Sequence, residues 1–249
     1  MKLSTLVLCD DLWHSAELIR RGLDPLTEER GCVQSTDRSA VVASSTSASV
    51  SSCCGWSSTP PRSEAAFGFD FEFVSDAGQW SLASLNDFPV AIVAKANHVN
   101  SSDLRPWLTM QNQSAFRNFV RNGGGLLAIH GGIGYRDIPE MRGVIGGAFL
   151  DHPELCPVIM EPKPRHALTQ GVEAFTEIDE QYQLVLDDLD ADVFLRSRSR
   201  HGEQPAGWTR TEGAGRVCVL TPGHNPEVWC NTNFQTLLRN GLCWLANPK

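Results

Sequence analysis

Residues 112–134 read NQSAFRNFVRNGGGLLAIHGGIG. Phe116, Phe119 and Val120 recur at helical spacing, which predicts an amphipathic helix over 112–122. Gly123-Gly124-Gly125 stops that helix, and Leu126–Ile129 then forms a short, wholly apolar run. A four-residue run without alternation suits a strand buried on both faces, as in a parallel sheet covered by helices. The turn after it, His130-Gly131-Gly132-Ile133-Gly134, opens where such a sheet gathers its functional groups.

The same rhythm continues outward. Apolar runs at 3–8, 69–74 and 89–94 alternate with helix-like segments such as HSAELIRRGL, and further strands are expected at 156–160, 182–187, 192–196 and 216–220. A closing helix over 232–246 carries Leu237, Leu238, Leu242 and Leu245. Short buried strands alternating with helices predict an α/β fold: a doubly wound, mostly parallel, flavodoxin-like sheet with helices on both faces, in a single domain spanning 1–249.

One stretch breaks the pattern. Residues 31–66 hold 11 of the chain's serines, together with Pro60-Pro61 and Cys53-Cys54-Gly55-Trp56, and show no sustained period. Such a composition buries too little apolar surface to offset its ordering entropy, so a disordered insertion is expected there. It reads either as a linker or as non-native coding, and the Cys and Trp favour the second. Without it, 213 residues remain, enough for one α/β domain. Its Asp37, Arg38, Arg62 and Glu64 cancel, so the formal net charge of −8 belongs to the rest.

That acidic balance lacks the positive field that nucleic acid or an anionic membrane surface requires, so neither partner is expected. Nothing approaches the roughly 18 consecutive apolar residues of a membrane span. The N-terminal apolar run ends at Asp10-Asp11 after about seven residues, too short for a secretory signal. Of eight Cys, five fall outside 31–66, scattered among apolar residues with no C-x-x-C pair. They read as small buried hydrophobes in a reduced, cytoplasmic protein.

Polar residues cluster just past the expected strands. Asp10, Trp13 and His14 follow the first, Lys95, Asn97 and His98 follow PVAIVA, and His130 follows LLAI. His224 follows the strand at 216–220, His152 follows a Gly146-Gly147 turn, and Glu180 and Tyr182 stand at the start of another strand. Imidazoles and carboxylates in one crevice suit proton transfer near neutral pH or a divalent metal. His130 and His224 are the expected acid/base pair, with Glu180 orienting or assisting. Asp10, Trp13, His14, Lys95, Asn97, His152 and Tyr182 are the expected substrate-binding set. A metal would fall to His130, His152 and His224, although no compact motif such as H-E-x-x-H is present. Trp80 and Trp107 are further candidates for stacking on a sugar face, against the expectation that most of the seven Trp are core. The strand–turn–helix at 126–135 has the outline of a nucleophile elbow, but its apex is His130 instead of Ser or Cys.

Taken together, LVLCDDLWH, FEFVSDAGQW, VAIVAKANHV, FVRNGGGLLAIHGG, IGGAFLDHP, EQYQL and TPGHNPEVW resemble the ThuA-like (trehalose-utilisation) proteins of the class I glutamine amidotransferase-like superfamily. These stretches cover nearly everything outside 31–66. The resemblance implies a flavodoxin-like sheet and a role in carbohydrate metabolism, and the insertion departs from the family pattern. Combined with the residues, it leads to an enzyme isomerising or hydrolysing a sugar or keto-sugar by acid/base chemistry, with a small-molecule carbohydrate as its partner. The competing readings are a non-catalytic carbohydrate-binding or regulatory protein, and a glutaminase with a relocated nucleophile, for which Cys9 is the one strand-end cysteine. The sequence leaves the cofactor open, a divalent metal included, and the oligomeric state too, a homo-oligomer included.

Overall fold

The computed structural model describes residues 2–31 and 66–246. The serine-rich segment therefore falls, from 32 to 65, outside the described residues. The strands are β1 (Lys2–Leu8), β2 (Arg30–Gly31), β3 (Ala66–Val74), β4 (Val90–Val93), β5 (Gly125–Ile129) and β6 (Gly147–Asp151). They continue as β7 (Cys156–Pro162), β8 (Phe175–Asp179), β9 (Gln183–Leu186), β10 (Asp192–Ser199), β11 (Gly202–Glu212) and β12 (Gly215–Leu220). The α-helices are α1 (Ala16–Leu23), α2 (Met110–Arg121), α3 (Pro139–Ile145), α4 (Pro226–Cys230) and α5 (Thr232–Ala246).

Ten strands form one sheet in the order β2-β3-β1-β4-β5-β12-β11-β10-β7-β8. From β3 through β12 neighbours run parallel. In these strands successive residues go to opposite faces. Val7, Val90, Ile92, Leu127 and Leu220 join one core with Ile19 of α1, Trp229 of α4 and Leu238 of α5. Leu6, Leu8, Ala91, Val93, Leu126 and Val219 join the other with Phe116 and Phe119 of α2 and Val144 of α3. Both faces are thus buried, and the runs read as uniformly apolar. Full burial of each Leu, Ile or Phe stabilises the fold by about 1.5–3 kcal/mol.

The second half of the sheet departs from the expected parallel layout. Beyond β12 every pairing is antiparallel, through β11, β10, β7 and β8. For β10–β11 and β11–β12 the cause is connection length: two residues join each pair, and a parallel crossover needs a dozen or more. β11 was hidden in the sequence by Pro205 and Gly207, which read as breakers. Pro205 pairs with Arg196 next to a register shift, the kind of place where a strand tolerates proline. β8 and β6 also went unpredicted, and β6 pairs with β9 as a separate two-stranded sheet.

Helix ends follow their caps. Ser15 accepts a hydrogen bond from Leu18 N to start α1, and Thr109 accepts from Asn112 N to start α2. After α2, Gly123 takes φ +111° and Gly124 N donates to Phe119 O, so the triple glycine acts as the expected helix stop. Past β5 the chain makes a 3-10 turn, His130–Ile133, instead of entering a long helix directly. That turn presses against the end of β4, where a Cβ on Gly132 would lie 2.0 Å from Val93 O.

Gly132→Ala is therefore expected to lower the melting temperature by 5 °C or more, since relieving the clash costs about 2 kcal/mol or more at roughly 2–4 °C per kcal/mol. Gly143→Ala, at an exposed position of helix α3 with nothing within 4 Å of the added methyl, is expected to be neutral or to raise it slightly. Thermal denaturation of the two variants checks both.

Candidate functional site

Loops from four parallel strand ends and from the antiparallel extension meet in one crevice of about 240 Å³, lined by Trp13, His14, Phe149, His152, Glu180, Tyr182 and His224 among others. His130 packs against four of these lining residues, His14, Glu180, Tyr182 and His224. It sits at the apex of the turn after β5 in a left-handed conformation, φ +45°, and is almost fully buried. Its Nδ1 lies 2.7 Å from Thr221 O, so it donates to that carbonyl, and its ring stacks on Tyr182 with centroids 4.3 Å apart. Burial pushes the imidazole down to about 4, past the opposing pull of Glu180, so it is neutral at physiological pH.

Glu180 is the focus of the cluster. Its Oε2 lies 3.4 Å from His130 Nε2 and 3.4 Å from His224 Nδ1, and its Oε1 lies 3.6 Å from His152 Nε2. Burial works against its charge, but the neighbouring imidazoles of His130, His224 and His152 outweigh it and hold the carboxyl below its usual range. The residue follows β8 directly, not the start of a strand as expected, and it is fixed there by its neighbour. Asp179, fully buried, accepts hydrogen bonds from the backbone N–H groups of Gly223 (3.0 Å), His224 (3.0 Å) and Asn225 (3.3 Å). Burial pushes the Asp179 carboxyl up to about 6 against those three donors.

His14 completes the cluster. Its ring centroid is 4.8 Å from that of His130 and 5.5 Å from that of His224. Asp11 holds it, with His14 Nδ1 3.0 Å from Oδ1 and 2.9 Å from Oδ2. The same carboxylate accepts from the backbone of Trp13, His14 and Ala96. Burial opposes its charge, yet His14 and these donors hold it down at about 2. Gly131 makes room for the pair: a Cβ there would lie 2.8 Å from His14 Nδ1.

Three of the expected substrate-binding residues serve the loops instead. Lys95 is completely buried and donates from Nζ to Val99 O at 2.8 Å. Asn97 Oδ1 accepts from Trp107 N and Leu108 N. Asp10 accepts from Ala16 N and Ser101 N. Lys95 and Asn97 thus tie together the loop after β4, and Asp10 ties its own loop to that one. Trp13, His14, His152 and Tyr182 do line the crevice. Trp13 is 58% exposed at its rim, whereas Trp107 is buried and Trp80 packs on Phe116. His98 lies behind Trp13, with ring centroids 5.1 Å apart, outside the imidazole cluster.

The ligand-capable triad also differs from the expected one. His14, His130 and His224 offer ring nitrogens within 4.8 Å of one another, and His14 stands where His152 was expected. Sequence reasoning missed Asp11, Asp179 and Phe149. Only Phe149 left a cue, three residues before His152 in GAFLDHP.

A relocated cysteine nucleophile finds no support. Cys9 is buried, burial pushes its thiol up to about 11, and its Sγ points at Val74 O, 3.9 Å away. Cys156 and Cys218 are likewise buried free thiols, but Cys230 is exposed, contrary to expectation.

These features define an α/β protein whose imidazole–carboxylate crevice lies at the carboxyl ends of parallel strands. The family model for ThuA, described as trehalose utilisation, matches residues 35–245, and the chain belongs to that family. Membership gives it a role in carbohydrate metabolism at the level of the family. Among solved structures, a ThuA-like protein from Bacteroides uniformis superposes with a TM-score of 0.65 at 17% identity, covering 98% of this chain and 91% of that one. Another from Parabacteroides merdae gives 0.67 at 14% identity, covering 99% and 91%. A protein of Salmonella typhimurium LT2 described as cytoplasmic gives 0.59 at 13% identity, covering 99% and 100%. At these identities the likeness is one of fold. No curated protein sequence matches the chain. Among the described residues no helix is long and apolar enough to cross a membrane.

Asp179→Ala is expected to destabilise the protein by about 3 kcal/mol, because it leaves buried backbone donors of the Gly223–Asn225 turn unpaired. Urea denaturation checks this. Asp10→Ala, which releases two less buried donors, is expected to cost about 1 kcal/mol.

Proposed function

We propose that the protein is an enzyme that isomerises or hydrolyses a sugar or keto-sugar derivative, with Glu180 as its proton-transfer group. One observation carries this reading: a carboxylate ringed by three imidazoles on the floor of a crevice walled by Trp13, Phe149 and Tyr182. Aromatic walls suit the apolar faces of sugar rings, and the few convergent polar groups fix orientation. Glu180, ionised at neutral pH, accepts a proton from a substrate carbon beside a carbonyl or from an attacking water. His152, more exposed than the other imidazoles of the ring around Glu180, relays that proton to solvent or back to the product. Asp179, held by the Gly223–Asn225 turn, positions Glu180 as its chain neighbour, and His130 stands beside it, neutral and tied to Thr221 O. That assignment moves the base from the His130/His224 pair expected from sequence to the carboxylate between them.

The test is a turnover screen with disaccharides and 3-keto sugars. Glu180→Gln is expected to lower kcat by about 10²–10⁴-fold while leaving sugar affinity close to that of the wild type. Trp13→Ala is expected to weaken sugar binding about tenfold, equivalent to 1.4 kcal/mol. Sugar binding by the wild type with no turnover of any substrate would favour the non-catalytic carbohydrate-binding reading instead.

A further inference from the structure

Three ring nitrogens converge on the crevice floor with no hydrogen-bond partner among the described residues. They are Nε2 of His14, Nε2 of His130 and Nδ1 of His224, each a buried atom, and His14 and His130 are 5% and 2% exposed. The second nitrogen of two of these rings is already committed. His14 Nδ1 faces both oxygens of Asp11, and His130 Nδ1 faces Thr221 O. A carboxylate and a carbonyl can only accept, so each Nδ1 carries the hydrogen, and in the neutral ring each Nε2 presents a lone pair. Glu180 Oε2, 3.4 Å from both His130 Nε2 and His224 Nδ1, adds a further acceptor. An acceptor therefore faces an acceptor between His130 and Glu180 in a buried space, and each group left unsatisfied there is destabilising. A single cation resolves all of it at once.

We propose that His14, His130 and His224 bind one divalent transition-metal ion, with Glu180 beside its open coordination position. Imidazole donors favour zinc and its first-row neighbours over magnesium or calcium, which take oxygen ligands. Nitrogens spread over as much as 4.8 Å draw inward to reach a metal at about 2.0–2.1 Å. The surroundings are those of a metal site: a carboxylate orients His14 and a backbone carbonyl orients His130, each fixing the tautomer that leaves Nε2 free. His152 stands outside, because its Nδ1 is engaged with Pro153 O at 2.9 Å and its Nε2 with Glu180 Oε1. Three protein ligands leave room for water or a substrate oxygen next to Glu180, as in catalytic zinc centres.

Metal binding is measured without substrate. The full chain, produced without a histidine tag and stripped by chelator, is titrated with Zn²⁺ by calorimetry and with Co²⁺ by visible absorption. One equivalent per chain is expected, with cobalt bands of a low-coordinate, nitrogen-rich site. His14→Ala and His130→Ala are each expected to lower affinity by about 100-fold or more, Asp11→Asn by about 10–100-fold, and His152→Ala to leave it unchanged. Far-UV circular dichroism verifies that each variant is folded. The proposal is overturned if the wild type binds neither ion stoichiometrically, or if folded His14→Ala binds like the wild type. Turnover of sugar by rigorously metal-free protein would also overturn it while leaving the carbohydrate reading intact. Stoichiometric metal binding without turnover of any sugar would do the reverse.

Discussion

The carboxylate of Asp179 reaches out of the antiparallel half of the sheet and accepts hydrogen bonds from three consecutive backbone N–H groups of the turn after β12. Those groups belong to the parallel half. A buried carboxylate held by three oriented donors is a strong, directional lock, since charge-assisted bonds are roughly twice as strong as neutral ones. It fixes Glu180, the next residue, against His130 and His224, and it fixes His224 itself through its own backbone. Asn225 adds a return bond from its side chain to Ile178 O. The site is assembled across this seam, and neither half of the sheet contains it alone.

A second lock works the same way on the opposite wall. Asp11 gathers backbone N–H groups from two loops, its own and the one after β4, and gives its remaining capacity to His14. Both aspartates stand behind the residues that face the crevice. They turn loops that would otherwise move independently into a fixed wall that carries the imidazoles and the carboxylate.

How much of this was legible follows from what each residue is asked to do. LSTLVL, PVAIVA, LLAI and RVCVL were readable as strands because burial on both faces leaves an uninterrupted apolar run. GEQPAGWTRTE was not, because an antiparallel strand beside a register shift can carry Pro205 and several charges. His14, His130 and His224 were legible as candidates because parallel strands deliver their following residues to one edge, and His152, Glu180 and Tyr182 join the same crevice from β6 and the β8–β9 segment. Asp10, Lys95 and Asn97 sit at the same edge but hydrogen-bond to loop backbone, since a polar residue after a strand can equally well tie a loop. Asp11 and Asp179 gave no signal that separated them from the acidic residues beside them. Asp179 is the inward end of FTEID, and its role becomes visible only once that strand is recognised.

The left-handed conformation of His130 has a consequence for how this crevice can diversify. Because the turn is pinned beneath the Val93 carbonyl and its backbone is already strained, the apex cannot slide to accommodate a different side chain. Whatever residue stands there inherits a fixed direction of approach, over Tyr182 and toward Glu180. The turn is in effect a mounting point whose aim is set by the backbone. New chemistry at this edge would therefore come from changing which atoms are mounted and which rims surround them, with the aim itself left untouched.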